Sequence, residues 1–490
     1  MKKPSERLRE LFEITKVAKK FDKRSGTFNI SISYKTAPYT ITHRTLAVAE
    51  AFGIGLDQQQ KQILYDNLQL RISPKDIVYI TGESGSGKTV LLKKLEKLLS
   101  PNTANIKHMH AEQHKPIIDT VGKNVEEALG LLSRVGLNDA FLFLRSYSQL
   151  SDGQKYRYKI AKLMETGKQY WIMDEFGSTL DRDMAKIVAF NVQKIARQTG
   201  KAVLAATTHT DLFEDLAPSI HIHKHFGKEI EIKYYPNKLD ANCSLTKLMH
   251  IQEGTITDYR KLSQYHYRQS THLPPPRKIF TIRRNDTKEL VGIIVYSYPT
   301  PQCFGRKKAV PKLRLTLQQL NKNFSLISRV ILHPKYRTIG LGAKLVKETL
   351  PKAGTPYVEA VAVMAKYNPF FEKAGMKKIT IQKPHPTNLK AAKKLQKLGF
   401  NPAYMASEKY ALAKLKKMSQ NQITQVKNIL ASIESPRLRR VFVTEKPYIN
   451  NKTYKQALET TSIEKIAKAL RILNIHLQTK AYLIWKVPER

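Results

Sequence analysis

The most specific chemistry in this sequence lies in eight consecutive residues, Gly82-Glu83-Ser84-Gly85-Ser86-Gly87-Lys88-Thr89. The apolar run Ile77-Val78-Tyr79-Ile80 precedes them, and Val90-Leu91-Leu92-Lys93-Lys94-Leu95 follows with helical text. This is G-x-x-x-x-G-K-T between a strand and a helix. The glycines let backbone N–H groups converge on phosphate at a helix N-terminus, and Lys88 adds a point charge for the β- and γ-phosphates. Thr89 supplies a hydroxyl ligand for Mg²⁺. A second apolar strand, Tyr170-Trp171-Ile172-Met173, ends in Asp174-Glu175. There Asp174 is suited to hold Mg²⁺ through water, and Glu175 to polarise an attacking water. The expected ligands are ATP and Mg²⁺.

Four further features stand around this pair in a telling order. Gln113 lies 25 residues after Lys88; Leu150-Ser151-Asp152-Gly153-Gln154 follows; then come Ser178-Thr179-Leu180-Asp181 and His209. That series resembles the ABC ATPase family over about 46–230. The resemblance implies that Gln113 serves catalysis and Mg²⁺, and that His209 touches the γ-phosphate in its own copy. It also implies that Ser151 and Gly153, with Gln154 beside them, face the γ-phosphate bound by a second copy, and that Asp181 couples the halves. A head-to-tail homodimer with two sandwiched ATPs is the expected assembly. Asp152 departs from the usual glycine of the signature, an extra carboxylate near phosphate. Phe52 is the candidate to stack on adenine. Only 62 residues separate Lys88 from Leu150, shorter than transporter ATPase domains usually show, so the expectation is a soluble, non-transport ABC ATPase.

A second set of small residues recurs downstream. Leu326-Ile327-Ser328-Arg329-Val330-Ile331-Leu332 reads as a strand, His333-Pro334-Lys335-Tyr336-Arg337-Thr338-Ile339-Gly340-Leu341-Gly342 as a turn, and Ala343–Leu350 as a helix. R-x-x-G-x-G after a strand and before a helix resembles the pyrophosphate loop of GNAT acetyltransferases. Backbone amides and the helix dipole would then meet the pyrophosphate of acetyl-CoA or another acyl-CoA. Tyr357–Val363 reads as the next strand, and Asn368-Pro369-Phe370-Phe371-Glu372-Lys373-Ala374-Gly375-Met376 resembles the segment that closes that fold. The resemblance covers about 245–400 and implies a CoA surface of Val330–Leu332, Arg337–Ala343, Asn368 and Phe371. It departs at Phe371, where many relatives have the tyrosine that protonates the departing thiolate; Tyr367 is the substitute candidate. Glu359 and His333 are general-base candidates. For Glu359 the competing reading is a solvated edge carboxylate, and for His333 a loop histidine capping the turn.

Charge gives the partner expectation. The 490 residues carry 84 Lys+Arg against 40 Asp+Glu, a formal net charge of +44. Residues 1–230 hold 35 basic and 25 acidic side chains, and residues 231–490 hold 49 and 15. A surplus so placed suits contact with phosphates. Arg306–Tyr336 contains no acid, which makes Arg306, Lys307 and Lys308 nucleic-acid candidates. In Asp258–Arg268 the mixed aromatic and basic side chains, among them His266, Tyr267 and Arg268, suit base stacking and phosphate contact, although amphipathic packing explains them equally well. His221, His223 and His225 alternate, but no carboxylate or cysteine lies at ligand spacing to make a metal site.

The elements that must position these groups form an α/β multidomain chain: an N-terminal extension (1–45), an ABC-type P-loop ATPase domain (46–233), a GNAT-like α/β domain (244–410) and a small basic helical α+β appendage (411–490). In the last of these, Ile463, Ile466, Ala467, Leu470 and Leu473 form one apolar stripe. No run of apolar residues is long enough to span a membrane, no secretory signal is read at the start, and two cysteines make no disulfide framework, so a cytoplasmic protein is expected. Together the two sites suggest an ATP-gated acyltransferase acting from acyl-CoA on an amine of DNA or structured RNA. A protein N-acetyltransferase and a non-catalytic ATP/CoA-switched nucleic-acid-binding module are the alternatives.

Overall fold

A computed structural model of the chain describes residues 12–17, 20–22, 27–36, 40–56, 61–137, 139–239, 242–266, 273–311, 315–363, 369–443 and 449–488. Two compact units divide it: Met1–Thr271 with Phe280–Ile293 and Val330–Leu345, and His272–Ile279 with Ile294–Arg329 and Val346–Arg490.

The first unit begins with a four-stranded antiparallel sheet of β1 (Phe12–Val17), β2 (Lys20–Asp22), β3 (Thr27–Thr36) and β4 (Lys61–Arg71). Between β3 and β4 runs α1 (His43–Phe52), closed by a Thr42–Thr45 capping box and burying none of its residues. A six-stranded sheet follows in the order β10-β9-β5-β8-β7-β6. Its strands are β5 (Ile77–Gly82), β6 (Thr103–Asn105), β7 (Tyr170–Met173), β8 (Ala202–Ala206), β9 (Ile220–Lys224) and β10 (Ile230–Tyr234). All neighbours are parallel except β9 and β10. Strand β5 is apolar without alternation because both its faces are covered: Ile77 and Tyr79 join one buried cluster, Val78 and Ile80 another. The covering helices are α2 (Lys88–Leu99), α3 (Val125–Arg134), α4 (Ala140–Phe143), α5 (Asp152–Glu165), α6 (Arg182–Thr199) and α7 (Phe213–Leu216).

A seven-stranded sheet has the order β11-β12-β13-β14-β15-β17-β16. It comprises β11 (Met249–Glu253), β12 (Pro276–Arg284), β13 (Leu290–Ser297), β14 (Phe324–Leu332), β15 (Tyr357–Ala362), β16 (Lys377–Gln382) and β17 (Lys480–Lys486). β14 and β15 are parallel and linked by α11 (Leu341–Thr349); their ladder runs from Phe324/Tyr357 to Ile327/Ala360. The shorter helices are α8 (Ile256–Ser263), α9 (Arg306–Ala309), α10 (Leu317–Asn323) and α12 (Phe370–Lys373).

In the second unit, α13 (Pro386–Lys397), α14 (Glu408–Lys416), α15 (Gln420–Ala431), α16 (Pro436–Arg439), α17 (Asn451–Glu459) and α18 (Ile463–His476) enclose their own core. Ile466, Ala467, Leu470 and Leu473 of α18 enter it, as their spacing predicts. After α18 the chain returns as β17, antiparallel to both β15 and β16.

Candidate nucleotide site and its surroundings

Strand β5 delivers the phosphate loop and α2 receives it. Gly82, Gly85 and Gly87 have φ of +144°, +81° and +101°. A Cβ on Gly82 would sit 2.1 Å from the Lys224 carbonyl oxygen, so the close approach of β9 demands glycine there. Lys88 Nζ donates to the carbonyls of Gly82 and Glu83 at 2.8 and 2.5 Å, folded over its own loop. Burial lowers its pKa, against the pull of Asp174 and Glu83. Ser86 Oγ is buried with no hydrogen-bond partner, a donor inside a glycine turn that fits an anionic ligand such as a nucleotide phosphate. Glu83, Ser84 and Gly85 are exposed along the loop.

Thr89 Oγ1 donates to Asp174 Oδ1 at 3.1 Å, which brings a hydroxyl and a carboxylate together at the mouth of β7. These are hard oxygen donors and fit Mg²⁺. Lys107 Nζ lies 2.9 Å from Asp174 Oδ2 and 3.8 Å from Glu175 Oε1. Burial works to lower the Lys107 pKa, but both carboxylates outweigh it and the net shift is upward. Glu175 sits at φ +53°, a backbone conformation uncommon for a non-glycine residue and typical of functional sites. Its side chain is 71% exposed, free to reach water.

Ser151 caps α5 by a reciprocal box with Gln154: Ser151 N–H donates to Gln154 Oε1 at 3.0 Å and Gln154 N–H to Ser151 Oγ at 3.4 Å. Gly153 lies in the first turn against Leu180, while Asp152 points to solvent. Asp181 caps α6 through Met184 N–H at 3.1 Å. His209 is half-buried, its carbonyl accepting from the Tyr79 hydroxyl, and burial with the nearby Arg182 lowers its pKa. Gln113 is exposed and donates to the Ala111 carbonyl, not to the Thr89–Asp174 pair. Phe52 is 76% exposed at the end of α1. Thr81 Oγ1 of β5 is hydrogen-bonded to His221 at 2.8 Å and His223 at 2.9 Å on β9; among the described residues no group of three His, Cys, Asp or Glu is placed to hold a metal.

The turn 333–342 belongs to the same compact unit, and polar bonds fasten it there. Lys335 Nζ lies 3.1 Å from Asp181 Oδ1 and 2.9 Å from Asp183 Oδ2. Arg284 holds Asp183 at 2.6 Å and Asp286 at 2.6 Å, and Tyr336 donates to Glu289 at 2.6 Å. Asn191 Nδ2 donates to Thr338 Oγ1 at 2.7 Å. Arg337 is largely buried, donating to the carbonyls of Leu332 and Tyr265 and lying 3.5 Å from Asp139. Burial lowers its pKa against the pull of Asp139. Its guanidinium is thus engaged by the protein rather than presented to a ligand. Gly340 has φ +89° and an open surrounding, Leu341 and Ile339 are buried, and Gly342 and Ala343 begin the helix half-buried. Ile331 is buried in β14, with Val330 and Leu332 half-buried beside it. His333 caps the turn, its Nδ1 accepting from Lys335 N–H at 3.4 Å.

Two residues differ from their expected settings. Glu359 is fully buried: Arg306 donates to it at 3.0 and 2.6 Å and the Tyr482 hydroxyl at 3.0 Å. It is a paired interior carboxylate, neither a solvated edge group nor a free base. Arg306 is correspondingly drawn inward, leaving Lys307 and Lys308 exposed. Phe371 is buried against Phe370, with ring centroids 4.1 Å apart. Tyr367, Asn368, Tyr267 and Arg268 lie outside the described residues, and His266 is half-buried. Sequence reasoning passed over Lys107, Asp183, Arg284 and Lys335. Only the acid-free run containing Lys335 carried any signal.

The phosphate loop, the Thr89–Asp174 pair, Glu175 and the capped Ser151 define a P-loop ATPase site of the ABC class. Comparison with known proteins names the family. The ABC transporter family profile matches residues 65–129. The cytochrome c biogenesis ATP-binding export protein CcmA of Ruegeria pomeroyi is 30% identical over 166 residues, 30% of this chain and 78% of that protein. The zinc import ATP-binding protein ZnuC of a Jannaschia species is 30% identical over 154 residues, 28% of this chain and 63% of that protein. The dimeric structure of the bacterial ABC transporter cassette MJ0796 aligns with a TM-score of 0.30 at 15% identity, covering 36% of this chain and 92% of that one. The chain belongs to the ABC transporter family through its ATPase domain, and it has ABC ATPase-type nucleotide-binding function with ATP and Mg²⁺. Among the described residues no helix is long and apolar enough to cross a membrane.

Proposed function

We propose that the chain uses ATP-driven closure of an ABC homodimer to gate acyl transfer from acyl-CoA to an amine on nucleic acid. Residues 46–233 take ATP, and within 244–410 the strand end and turn 330–343 take acyl-CoA. In each copy Lys88 and Ser86 hold phosphate, Thr89 and Asp174 hold Mg²⁺, and Glu175 polarises the water that attacks the γ-phosphorus. Bound Mg²⁺ supplies charge neutralisation on the β- and γ-oxygens. Ser151 and Gly153 face the nucleotide of the other copy, and Asp181 relays closure.

The observation that carries the coupling is the double ion pair of Lys335 with Asp181 and Asp183. It joins the residue expected to sense closure to the turn expected to take the CoA pyrophosphate. The acyl-CoA assignment is supported by the strand–turn–helix β14–α11, which leads to a parallel neighbour and puts the turn at a strand C-terminus, where ligands of α/β sheets bind. In the transfer step the amine nitrogen forms a bond to the thioester carbonyl carbon and the carbon–sulfur bond breaks. The amine proton goes to a base and the CoA thiolate takes up a proton.

A second reading, a non-catalytic module switched by ATP and CoA, is favoured by Phe371, a buried ring at the position of the expected acid, and by the engagement of Glu359 with Arg306. Incubation with labelled acetyl-CoA, Mg-ATP and separate DNA, tRNA, rRNA and protein pools decides among the readings. ATP-dependent label in nucleic acid supports the proposal. Label only in protein overturns the acceptor, and no label with CoA bound favours the switch.

A further inference from the structure

The helical block of the second unit carries a cationic groove that the ATP and acyl-CoA sites leave unexplained. Residues 386–476 hold 18 Lys and Arg against 5 Asp and Glu. A groove of about 290 Å³ opens between α13 and α15, lined by Lys394, Lys397, Leu398, Gln425, Asn428 and Ile429. Among the described residues no carboxylate lines it.

Its two walls differ in chemistry. On α13, Lys390, Lys394 and Lys397 follow the i, i+4, i+7 rule of one helix face, and all three are exposed. On α15, Asn421, Gln425 and Asn428 repeat the same spacing and are also exposed. Leu398 and Ile429 give an apolar floor. One wall therefore offers point charges, the other amide donors and acceptors, and the floor a surface against which a planar ring is desolvated.

The spacing fits one polynucleotide strand. Seven residues of helix from Lys390 to Lys397 rise about 10 Å. Successive phosphates of one strand lie about 3.4 Å apart along the axis in a stacked duplex and farther apart in an unpaired strand, so each of the three lysines has about one phosphate within reach. A groove of this volume has room for unstacked single bases. Unpaired bases also expose the edges that Asn and Gln read.

We propose that the α13–α15 groove binds a single-stranded segment of nucleic acid, with the backbone along Lys390, Lys394 and Lys397 and base edges toward Gln425 and Asn428. This rests on the nucleic-acid reading above and assigns the contact to residues other than those assigned to ATP and acyl-CoA.

Fluorescence anisotropy of the full chain with a fluorescein-labelled 20-mer, single-stranded or duplex, tests it. Tighter binding of the single strand is expected, with a linear fall of log affinity against log salt. In the Lys390→Glu/Lys394→Glu/Lys397→Glu variant the affinity should fall at least tenfold, and the salt slope should flatten by about 2, three phosphates at ~0.7 each. Gln425→Ala/Asn428→Ala should weaken binding several-fold while leaving the slope unchanged, a signature that loose polyanion attraction does not give. Unchanged affinity and slope in the lysine variant overturn the groove, as does equal competition by polyglutamate or by anionic vesicles. CoA titration on the same lysine variant keeps the readings apart: lost oligonucleotide binding with intact CoA binding touches the groove alone, and absent CoA binding in the parent touches only the acyltransfer reading.

Discussion

Replacing Lys335 by alanine tests the proposed link between ATP closure and the turn 333–342. The variant removes two ion pairs from one nitrogen, at 3.1 Å to Asp181 and 2.9 Å to Asp183. Asp183 retains Arg284 at 2.6 Å, so no buried charge is stranded. Asp181 has a 60% exposed side chain and rehydrates. Partly exposed pairs contribute about 0.2–1 kcal/mol each, so the two together transmit at most about 2 kcal/mol. At 1.4 kcal/mol per tenfold, that caps the coupling through Lys335 at roughly 30-fold. Calorimetric titration of CoA, with and without Mg-ATP in a Glu175→Gln background, measures it. ATP should change the Kd for CoA in the parent, and Lys335→Ala should bring the ratio toward one. Reciprocity requires CoA to change the Kd for ATP by the same factor. Burial raises the Asp183 carboxyl pKa, but Lys335 and Arg284 outweigh it and hold it below the ordinary value. A depressed carboxylate keeps its charge above the ordinary carboxylate range and loses it only as pH falls through the folded value, so the coupling should be flat near neutrality and weaken in acid. A parent ratio of one, or an unchanged ratio in Lys335→Ala, refutes the linkage.

Three other outcomes are expected. Glu175→Gln should trap an ATP-bound dimer, seen in gel filtration with Mg-ATP as a shift from 56.1 kDa toward twice that mass; a persistent monomer contradicts the sandwich. Lys107→Ala should free Asp174 and lower the Mg²⁺ concentration needed for nucleotide binding by up to about fivefold, the worth of one partly exposed pair. Weaker Mg²⁺ binding, measured with Mn²⁺ as the spectroscopic probe, would instead mean that Lys107 serves the nucleotide. Glu359→Ala leaves the Arg306 guanidinium buried beside an empty carboxylate position and should destabilise the fold by about 3–5 kcal/mol, read as a lower denaturation midpoint. A change under 1 kcal/mol would show that water relieves Arg306.

The nucleotide site was legible because its chemistry is local. A glycine turn between an apolar strand and a helix must run as β5, loop and α2, and Asp174 follows directly from the apolar run of β7. Ser151 and Asp181 were read from the order of the motifs; the structure adds that each caps the helix that begins at the next residue. Long-range partners were not readable. Nothing in the spacing of Lys107 and Asp174 or of Lys335 and Asp181 joins them; the fold closes 67 and 154 residues between them. Glu359 misled because its strand text, Tyr357-Val358-Glu359-Ala360, resembles that of an edge, while β17 returns from more than 100 residues later to cover it with Tyr482. A basic stretch likewise conceals which cations are engaged: Arg306 turns inward, whereas Lys307 and Lys308 stay in solvent.

Calorimetric titration of CoA into the full chain with Mg-ATP present tests the account most directly. One CoA per chain is expected, with binding lost in Gly342→Glu while ATP binding persists. Glutamate is a better helix former than glycine and is favoured in the first turn of α11, so this variant introduces a carboxylate at the anion cradle at a position where helix propensity does not oppose it; retained ATP binding reports that the chain still folds. Normal ATP binding with no heat from CoA in the parent chain would contradict the transferase and leave an ABC ATPase alone.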